Sequence, residues 1–362
     1  MPIYQYILKR VLIAIPTLLI VSMISFAIMR LEVHLPPLSV QWGGQAVQLF
    51  EGFNINPIDP LAELRLNPAI SKAALEQERA RRGLDKPAPI QYWLWLKNLL
   101  QFNPKALVQG HLNQFFTPNL GLNFSGESVA HILAQRLPNT ILLNLVTIAV
   151  IWLIAIPLGI YAALNWRTRL DTLLTIFSST GMAAPSFVIA LLLGFVAVKT
   201  GIAPYGGLTS VNFEEMNFLE KLFDLAHHLV LPVTVLSIGG IAGLQRQMRG
   251  NLLDVLEAEY VRVARAKGLP EHKVIYKHAV RTAINPLVTM FGFEFGTLLS
   301  GSAIVEMVLQ YPGIGQLALE AARQTDTNMV MSVMLLGATM LLLGNLLGDI
   351  LLKVVDPRIE LA

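Results

Sequence analysis

The stretch that decides the fold is Pro138-Asn-Thr-Ile-Leu-Leu-Asn-Leu-Val-Thr-Ile-Ala-Val-Ile-Trp-Leu-Ile-Ala-Ile-Pro-Leu-Gly-Ile-Tyr-Ala-Ala163. It holds no charged residue. A helix rises about 1.5 Å per residue, so about 20 apolar residues cross the hydrocarbon core of a bilayer. Because backbone polar groups cannot be left bare in lipid, this run predicts a membrane-spanning helix.

Further apolar runs of similar length lie along the 362-residue chain, in which 54% of residues are hydrophobic and 14% are charged. Soluble domains carry roughly 25% charged residues. The sequence therefore predicts an all-α membrane protein, a bundle of six transmembrane helices. The predicted spans are about 11–30, 138–163, 173–198, 229–247, 286–306 and 329–352.

The distribution of basic residues predicts the orientation. Lys and Arg residues are more frequent in three segments than in the two short loops that alternate with them: 164–171, 248–283 and 353–362 against 199–228 and 307–328. Cytoplasmic loops carry this excess, so both termini are predicted to be cytoplasmic. The formal net charge of +3 then gives no reason to expect nucleic acid. The length of the first run favours an uncleaved anchor over a signal peptide.

Two regions are predicted. Residues 1–136 hold the first span and an external segment, and residues 137–357 form the core transmembrane domain. In the external segment, Ser71 is a candidate N-cap of a helix that Gly83 ends, and an amphipathic helix covers about 90–100. The absence of cysteine excludes disulfides and thiolate metal sites.

The most informative stretch is Asn251-Leu-Leu-Asp-Val-Leu-Glu-Ala-Glu-Tyr-Val-Arg-Val-Ala-Arg-Ala-Lys-Gly268-Leu-Pro270. Asn251 is a good N-cap, Gly268 can end a helix in the left-handed conformation, and Pro270 blocks its continuation. A second short helix follows from about Glu271. The residues alone leave three readings open: a solvated surface loop, a basic amphipathic helix on anionic lipid, or a docking element for a soluble partner.

Glu259-Tyr-Val-Arg-Val-Ala-Arg-Ala-Lys-Gly268, followed by His278-Ala-Val-Arg-Thr-Ala-Ile-Asn-Pro286, resembles the EAA loop of ABC-importer membrane subunits. The likeness is to the version in the dipeptide/oligopeptide/nickel permease family, where Arg262 takes the place of a glutamate. Further stretches resemble the same branch: Arg10-Val-Leu-Ile-Ala-Ile-Pro-Thr-Leu18, Gly83-Leu-Asp-Lys-Pro87, Leu137-Pro-Asn-Thr140, Tyr311-Pro-Gly-Ile-Gly315 and Asp356-Pro-Arg358. The likeness fails in about 31–75.

The resemblance implies a permease subunit of an ATP-driven importer in the bacterial inner membrane, forming half of the pathway for peptides or related solutes. It implies a second homologous permease, two ATP-binding subunits and an extracytoplasmic solute-binding protein as partners. The chain lacks a Gly-x-x-x-x-Gly-Lys-Ser/Thr loop, so ATP hydrolysis is expected on partner chains and no cofactor is expected on this one. The residues predicted to couple to the ATPase, within the coupling loop 251–283, are Glu257, Glu259, Tyr260, Arg262, Arg265, Ala266, Lys267 and Gly268.

Polar residues inside the spans are candidates for pathway lining, namely Glu294 and Asn144. A carboxylate at mid-bilayer costs roughly 2.5–3.5 kcal/mol on insertion scales, so Glu294 is expected to face the bundle interior. It would there line the pathway or contact solute, form a helix–helix bond, or stay in a neutral protonated state. Asn144 could also join helices. Structural pairing is expected for Glu306 and Asp349 near helix ends. No catalytic or metal-binding residues are predicted.

The alternatives to an importer permease are a secondary carrier or channel and an intramembrane enzyme. A secondary carrier or channel usually shows inverted repeats or a chain of membrane carboxylates. An intramembrane enzyme would need a His-Glu-x-x-His motif, or a Ser/His or Asp/Asp pairing, within the spans, and the sequence has none. The expected mechanism is that closure of the ATPase pair moves the glycine elbow, and that the 284–286 joint passes this movement to the fifth span.

Overall fold

The structure is a computed structural model that describes residues 3–30, 33–35, 38–42, 45–50, 53–55, 61, 70–81, 83–101, 119–123, 125–324 and 326–355. The motif Asp356-Pro-Arg358 and part of the 31–75 segment lie outside the described residues. The helices are α1 Ile3–Arg30, α2 Lys72–Arg81, α3 Ala88–Leu99, α4 Val129–Leu164, α5 Arg169–Ala183, α6 Ser186–Thr200, α7 Phe218–Leu256, α8 Glu259–Ala266, α9 Glu271–Lys273, α10 Arg281–Ala283, α11 Asn285–Val308, α12 Ile314–Arg323 and α13 Thr327–Val355. A 3₁₀ turn covers Phe213–Glu215, and a π-helix covers Val274–Val280.

Long apolar helices dominate the described chain, as the composition predicted. Four of them are long and apolar enough to cross a membrane: Tyr4–Met29, Val129–Leu164, Phe218–Leu256 and Thr327–Lys353. They coincide with the first, second, fourth and sixth predicted spans, although most extend beyond the predicted ends. The 24-residue helix α11 covers the fifth predicted span. The helical membrane fold is confirmed, and the count of six crossings stays a prediction.

The third predicted span, 173–198, is not one helix. Helices α5 and α6 replace it and meet at an angle of 98°. Ala184 between them is extended, with φ −77° and ψ 120°, and Pro185 follows it. A proline ring clashes with a helical conformation of the preceding residue, so Ala184 leaves the helix and the chain turns. The prediction of an unbroken helix here was wrong because it gave more weight to apolar length than to this local effect.

Short strands, which the all-α prediction did not include, lie in the external segment predicted after the first span. Strand β1 (Val33–Leu35) pairs antiparallel with β4 (Phe53–Ile55), and β2 (Leu38–Trp42) pairs antiparallel with β3 (Gln45–Phe50). Trp42 lies opposite Gln45, and the two residues between them in the sequence are glycines. A Gly-Gly pair between β-prone runs is a hairpin signal, so this element was readable from the sequence.

The chain divides into two compact units, one of Pro16–Ala134 with Glu320–Leu336 and the other of Met1–Ile15, Gln135–Leu319 and Gly337–Ala362. Within the first unit, α3 packs on α1 through the Tyr92 ring. The Tyr92 and Ser22 hydroxyls are 2.9 Å apart, and the Phe26 ring lies 5.5 Å from the Tyr92 ring. The amphipathic helix predicted over 90–100 is therefore present as α3.

The second unit is held together by a core and by ion pairs, two of which join helices that are distant in the sequence. Arg249 donates to both carboxylate oxygens of the buried Asp171, at 2.6 and 2.8 Å, which fastens the start of α5 to α7. Arg10 on α1 lies 2.7 Å from Asp349 on α13, whose carboxylate also accepts from the Tyr6 hydroxyl at 2.5 Å. Asp349 thus has the structural pairing expected of it.

Candidate coupling and pathway sites

The glycine elbow is present, but its first helix begins later than predicted. Helix α7 continues through Asn251, so this residue is not an N-cap. Its side-chain amide instead donates to the Ala283 carbonyl at 3.1 Å. The helical periodicity of α7 carries through this position, and the break comes at Glu257 and Ala258, where α8 begins. A polar residue with helical neighbours on both sides was mistaken for a boundary.

The end of α8 follows the prediction. Gly268 has φ +72°. Its N–H donates to the Arg265 carbonyl at 2.9 Å, and the Leu269 N–H donates to the Ala264 carbonyl at 3.4 Å. These are the two bonds of a Schellman motif, which needs a left-handed residue at Gly268. A glycine takes that conformation without the steric cost that other residues carry.

We call the segment 257–269 the knob. Its inner side is buried, with Val261 at 0% and Ala264 at 8% exposure, in the same core cluster as Leu252 of α7 and Leu287 of α11. Positions three apart lie on one face of a helix, so this is an amphipathic arrangement. All eight residues predicted to couple to an ATPase are exposed on the other side: Glu257, Glu259, Tyr260, Arg262, Arg265, Ala266, Lys267 and Gly268.

One of these eight has a role within the chain. Arg265 forms a two-pronged ion pair with Glu271 across the Gly268 turn, with nitrogen–oxygen distances of 2.8 and 3.1 Å. Both side chains are largely exposed, so the pair contributes only about 0–1 kcal/mol. The pair nevertheless joins α8 to the segment that leads into α11. The sequence did not predict it, because the two residues belong to different helices.

That following segment is a π-helix over Val274–Val280 between the short helices α9 and α10. Val274, Ala279 and Ala283 are buried in the core cluster that holds the knob. A π-helix is rare and is frequently found at functional sites. A helical segment is therefore present where the second short helix was predicted, but the sequence did not indicate its π-helical hydrogen bonding.

Two of the stretches that carry the family likeness meet in the structure. Leu137–Thr140 lies on α4, and Tyr311–Gly315 joins α11 to α12. The Tyr311 hydroxyl donates to the Asn139 carbonyl at 2.8 Å, and the Asn139 amide donates to the Pro312 carbonyl at 2.9 Å. The Thr140 hydroxyl accepts from the Ile314 N–H at 2.8 Å. Burial raises the pKa of Tyr311, which keeps this hydroxyl protonated as a donor.

Glu306 lies at the centre of this junction and is fully buried. Its carboxylate accepts from the Ser302 hydroxyl at 2.9 Å and from the Gln316 N–H at 3.0 Å. A Cβ on Gly313 would lie 2.4 Å from that carboxylate, and one on Gly315 would lie 2.4 Å from the Ala303 Cα. Gly315 therefore requires glycine because the close contact is with backbone, and a side chain at Gly313 would displace the Glu306 carboxylate. Glu306 has the structural pairing expected of it, although the sequence did not show its partners.

Glu294 lies in a different environment, beside a cavity. The Trp152 indole N–H donates to its carboxylate at 2.9 Å, and the Phe291 ring packs edge-on against the indole at 5.5 Å. The cavity holds about 500 Å³. Asn144 is fully buried on α4 and does not line this cavity. The pathway roles of Glu294 and Asn144 stay predictions.

Comparison with known proteins bears on the whole chain. The family model "Binding-protein-dependent transport system inner membrane component" matches residues 155–361, and the model of the corresponding N-terminal component matches residues 46–144. The second match includes residues 46–75, so the prediction that the likeness fails throughout about 31–75 was wrong. The chain is an ABC-importer permease of the peptide family. As such it is a multi-pass protein of the bacterial inner membrane and a transport component, not an enzyme.

The relatives of this permease match it over nearly its full length. The oligopeptide transport system permease protein AppB of Bacillus subtilis is 36% identical over 356 residues, which cover 98% of this chain and 99% of AppB. The oligopeptide transport system permease protein OppB of Haemophilus influenzae is 32% identical and covers the same shares. A structure of the MetNI methionine ABC transporter covers 62% of the permease and 96% of its own chain, at 19% identity and a TM-score of 0.46.

Proposed function

We propose that this permease forms half of the translocation pathway of an ATP-driven importer for peptides or related solutes, and that it docks separate ATPase subunits through the 251–283 segment. The observation that supports the proposal is the two-sided knob. Every residue that the family likeness assigns to ATPase coupling is exposed, while Val261 and Ala264 beneath them are buried in the core. An element that transmits movement from a bound partner needs an exposed surface for the partner and a buried side that is fixed in the core.

The shared core supplies the path for movement. The knob, α7 and α11 contribute to one cluster of buried side chains, which also contains Ile151 and Ala155 of α4. Packed interiors have low compressibility and transmit displacement rather than absorb it. Closure of an ATPase pair would therefore shift the knob, and the core would pass that shift to α7 and α11. Exposure of the pathway would then alternate between the two sides of the membrane.

The exposed surface of the knob indicates what kind of partner fits it. Tyr260 and Val263 stand about half exposed on α8, with Glu259 and Arg262 beside them. An apolar centre with a charged rim is the usual make-up of a protein interface. Aromatic side chains at such centres often carry most of the binding energy. The partner would be a soluble ATPase whose groove has an apolar floor and charges on its walls.

The remaining parts of the importer lie on other chains. A second homologous permease would complete the pathway, two ATP-binding subunits would drive it, and an extracytoplasmic binding protein would deliver the solute. This arrangement places the knob and both termini in the cytoplasm, in agreement with the Lys and Arg distribution.

The test is purification of the importer with knob variants. Tyr260→Ala is expected to weaken retention of the ATPase subunit by about 10- to 30-fold, which corresponds to about 1.4–2 kcal/mol, because aromatic side chains are enriched among the residues that carry binding energy. Phe218→Ala, at an exposed residue at the other end of α7, is the matched control. Solute uptake that persists without any ATPase subunit would instead favour a secondary carrier or channel.

A further inference from the structure

The cavity beside Glu294 exists because one face of α7 carries glycines. Gly239 and Gly243 lie four residues apart on one face and line it together with Gly240. A Cβ on Gly240 would lie 2.3 Å from the Ile151 side chain, so that glycine is required by packing. Among the residues that the structure describes, none comes within 4 Å of a Cβ built on Gly243. Gly243 therefore leaves open space that the fold does not require.

A glycine at this position lowers the stability of the helix. A glycine within a helix destabilises it by roughly 0.5–1 kcal/mol relative to alanine. Gly243 has neither a positive φ nor a close neighbour to justify that cost. Gly250 on the same helix has similar open space, but only Gly243 lies in the wall of the cavity that Arg246 and Glu294 also line.

The polar groups around the cavity carry both signs of charge. Glu294 is held on one wall by the Trp152 indole, and Arg246 lies one helical turn beyond Gly243. Within the part of the chain that the structure describes, Arg246 forms no ion pair and is exposed. Gln247, also in the lining, donates its amide to the Met290 sulfur at 3.0 Å. A thioether is a weak acceptor, so a better one could take that hydrogen bond.

We propose that this cavity is a solute site for a zwitterion, a short peptide with free termini. The Glu294 carboxylate would accept from its ammonium group, the Arg246 guanidinium would bind its carboxylate, and Gln247 would bond a peptide group between them. A volume of about 500 Å³ is within the range of ligand sites. Guanidinium suits carboxylate recognition because two parallel N–H donors match its two oxygens. The inference rests on the proposed function, whose pathway this site would line.

The first test measures binding without transport. The chain has no cysteine, so Gly243→Cys introduces a unique thiol into the cavity where a Cβ meets no neighbour. In the purified importer complex, free dialanine is expected to slow maleimide labelling of this thiol. N-acetyl-dialanine amide, which lacks both charges, is expected to leave the labelling rate unchanged. Equal effects of the two probes, or no effect of either, would overturn the assignment.

The second test measures transport in proteoliposomes that hold the whole importer. Glu294→Gln is expected to lower uptake of dialanine about 10- to 100-fold, because hydrogen bonds to charged groups are among the strong ones. It is also expected to remove the preference for dialanine over its N-acetylated form, while Arg246→Gln removes the preference over the C-terminal amide. Gly243→Leu should block uptake, whereas Gly250→Leu, with equally open space on the same helix, should not.

These outcomes distinguish failure of the zwitterion site from failure of the proposed importer function. If the unaltered importer takes up dialanine with ATP and the Glu294 and Arg246 variants keep its end-group preferences, the zwitterion site is wrong and the importer stands. If the unaltered importer shows no ATP-driven uptake of any peptide, the proposed function itself fails. A Trp152→Phe variant completes the set, because it removes the indole donor while leaving both charges in place. It is expected to weaken dialanine uptake without changing the preference for free termini.

Discussion

Gly268 gives the sharpest quantitative prediction. Its φ of +72° is unfavourable for alanine by roughly 1–2 kcal/mol. Within the described part of the chain, no atom lies within 4 Å of where a Cβ would be, so the effect of Gly268→Ala is conformational and not steric. Alanine also restricts the unfolded chain, which returns about 0.4–1 kcal/mol. The net destabilisation of the elbow is therefore about 1 kcal/mol, which corresponds to about a fivefold rise in its opening equilibrium.

Hydrogen exchange of the purified importer complex measures this opening. The Schellman bonds are made by the N–H groups of Gly268 and Leu269, and the N–H of Lys267 bonds the Val263 carbonyl. These amides should exchange about fivefold faster in Gly268→Ala, because local opening exposes them together. Retention of the ATPase subunit should change much less, because the closed elbow that presents the docking surface remains the dominant form.

Two further variants decide whether the reasoning is right. Gly250→Ala changes a glycine of α7 that also has open space around it, and it should stabilise the helix by about 0.5–1 kcal/mol. Gly268→Asn should behave nearly like the original, because asparagine tolerates the left-handed region. If Gly268→Ala exchanged no faster than Gly250→Ala, the left-handed turn would not matter for the elbow and the reasoning would be refuted.

Three more predictions concern the junctions around the core. Thr140→Val should lower the thermal unfolding temperature of the purified permease, because the buried Ile314 N–H would lose its acceptor at a cost of about 1–3 kcal/mol, while Thr140→Ser should restore it. Asp171→Asn should cost about 3–5 kcal/mol by leaving Arg249 without its counter-charge, seen as reduced membrane yield and heat resistance. Gly315→Ala should disturb the α11–α12 corner through its Ala303 contact; unchanged protease resistance there would contradict the fit described.

The sequence predicted what depends on composition and on strong local signals. Apolar length identified the long helices, and Gly268 with Pro270 identified the elbow. Signals that compete with each other were harder to judge. The length of the apolar run predicted one helix over 173–198, but the chain turns before Pro185. Asn251 was predicted to be an N-cap, but α7 continues through it.

Contacts between distant segments could not be predicted from one sequence. The Leu137–Thr140 and Tyr311–Gly315 stretches were recognised separately, and only the structure shows them joined around Glu306. The sequence also does not show that Gly240 packs against the Ile151 side chain while Gly243 does not. That difference depends on which residue of another helix lies next to each glycine. The exposure of the coupling residues, in contrast, followed from helical periodicity once the helix was placed.

The central claim is that the knob faces a cytoplasmic ATPase, and cross-linking tests it most directly. Because the chain has no cysteine, Tyr260→Cys and Val211→Cys each carry a single thiol, the second at a fully exposed residue of the 199–228 loop. In membranes that contain the whole importer, a cross-linker with one maleimide arm and one photoreactive arm should link the Tyr260→Cys variant to the ATPase subunit, with a yield that changes when ATP is added. The Val211→Cys variant should give no such link. Labelling of Tyr260→Cys by an impermeant reagent from outside intact cells would contradict the account.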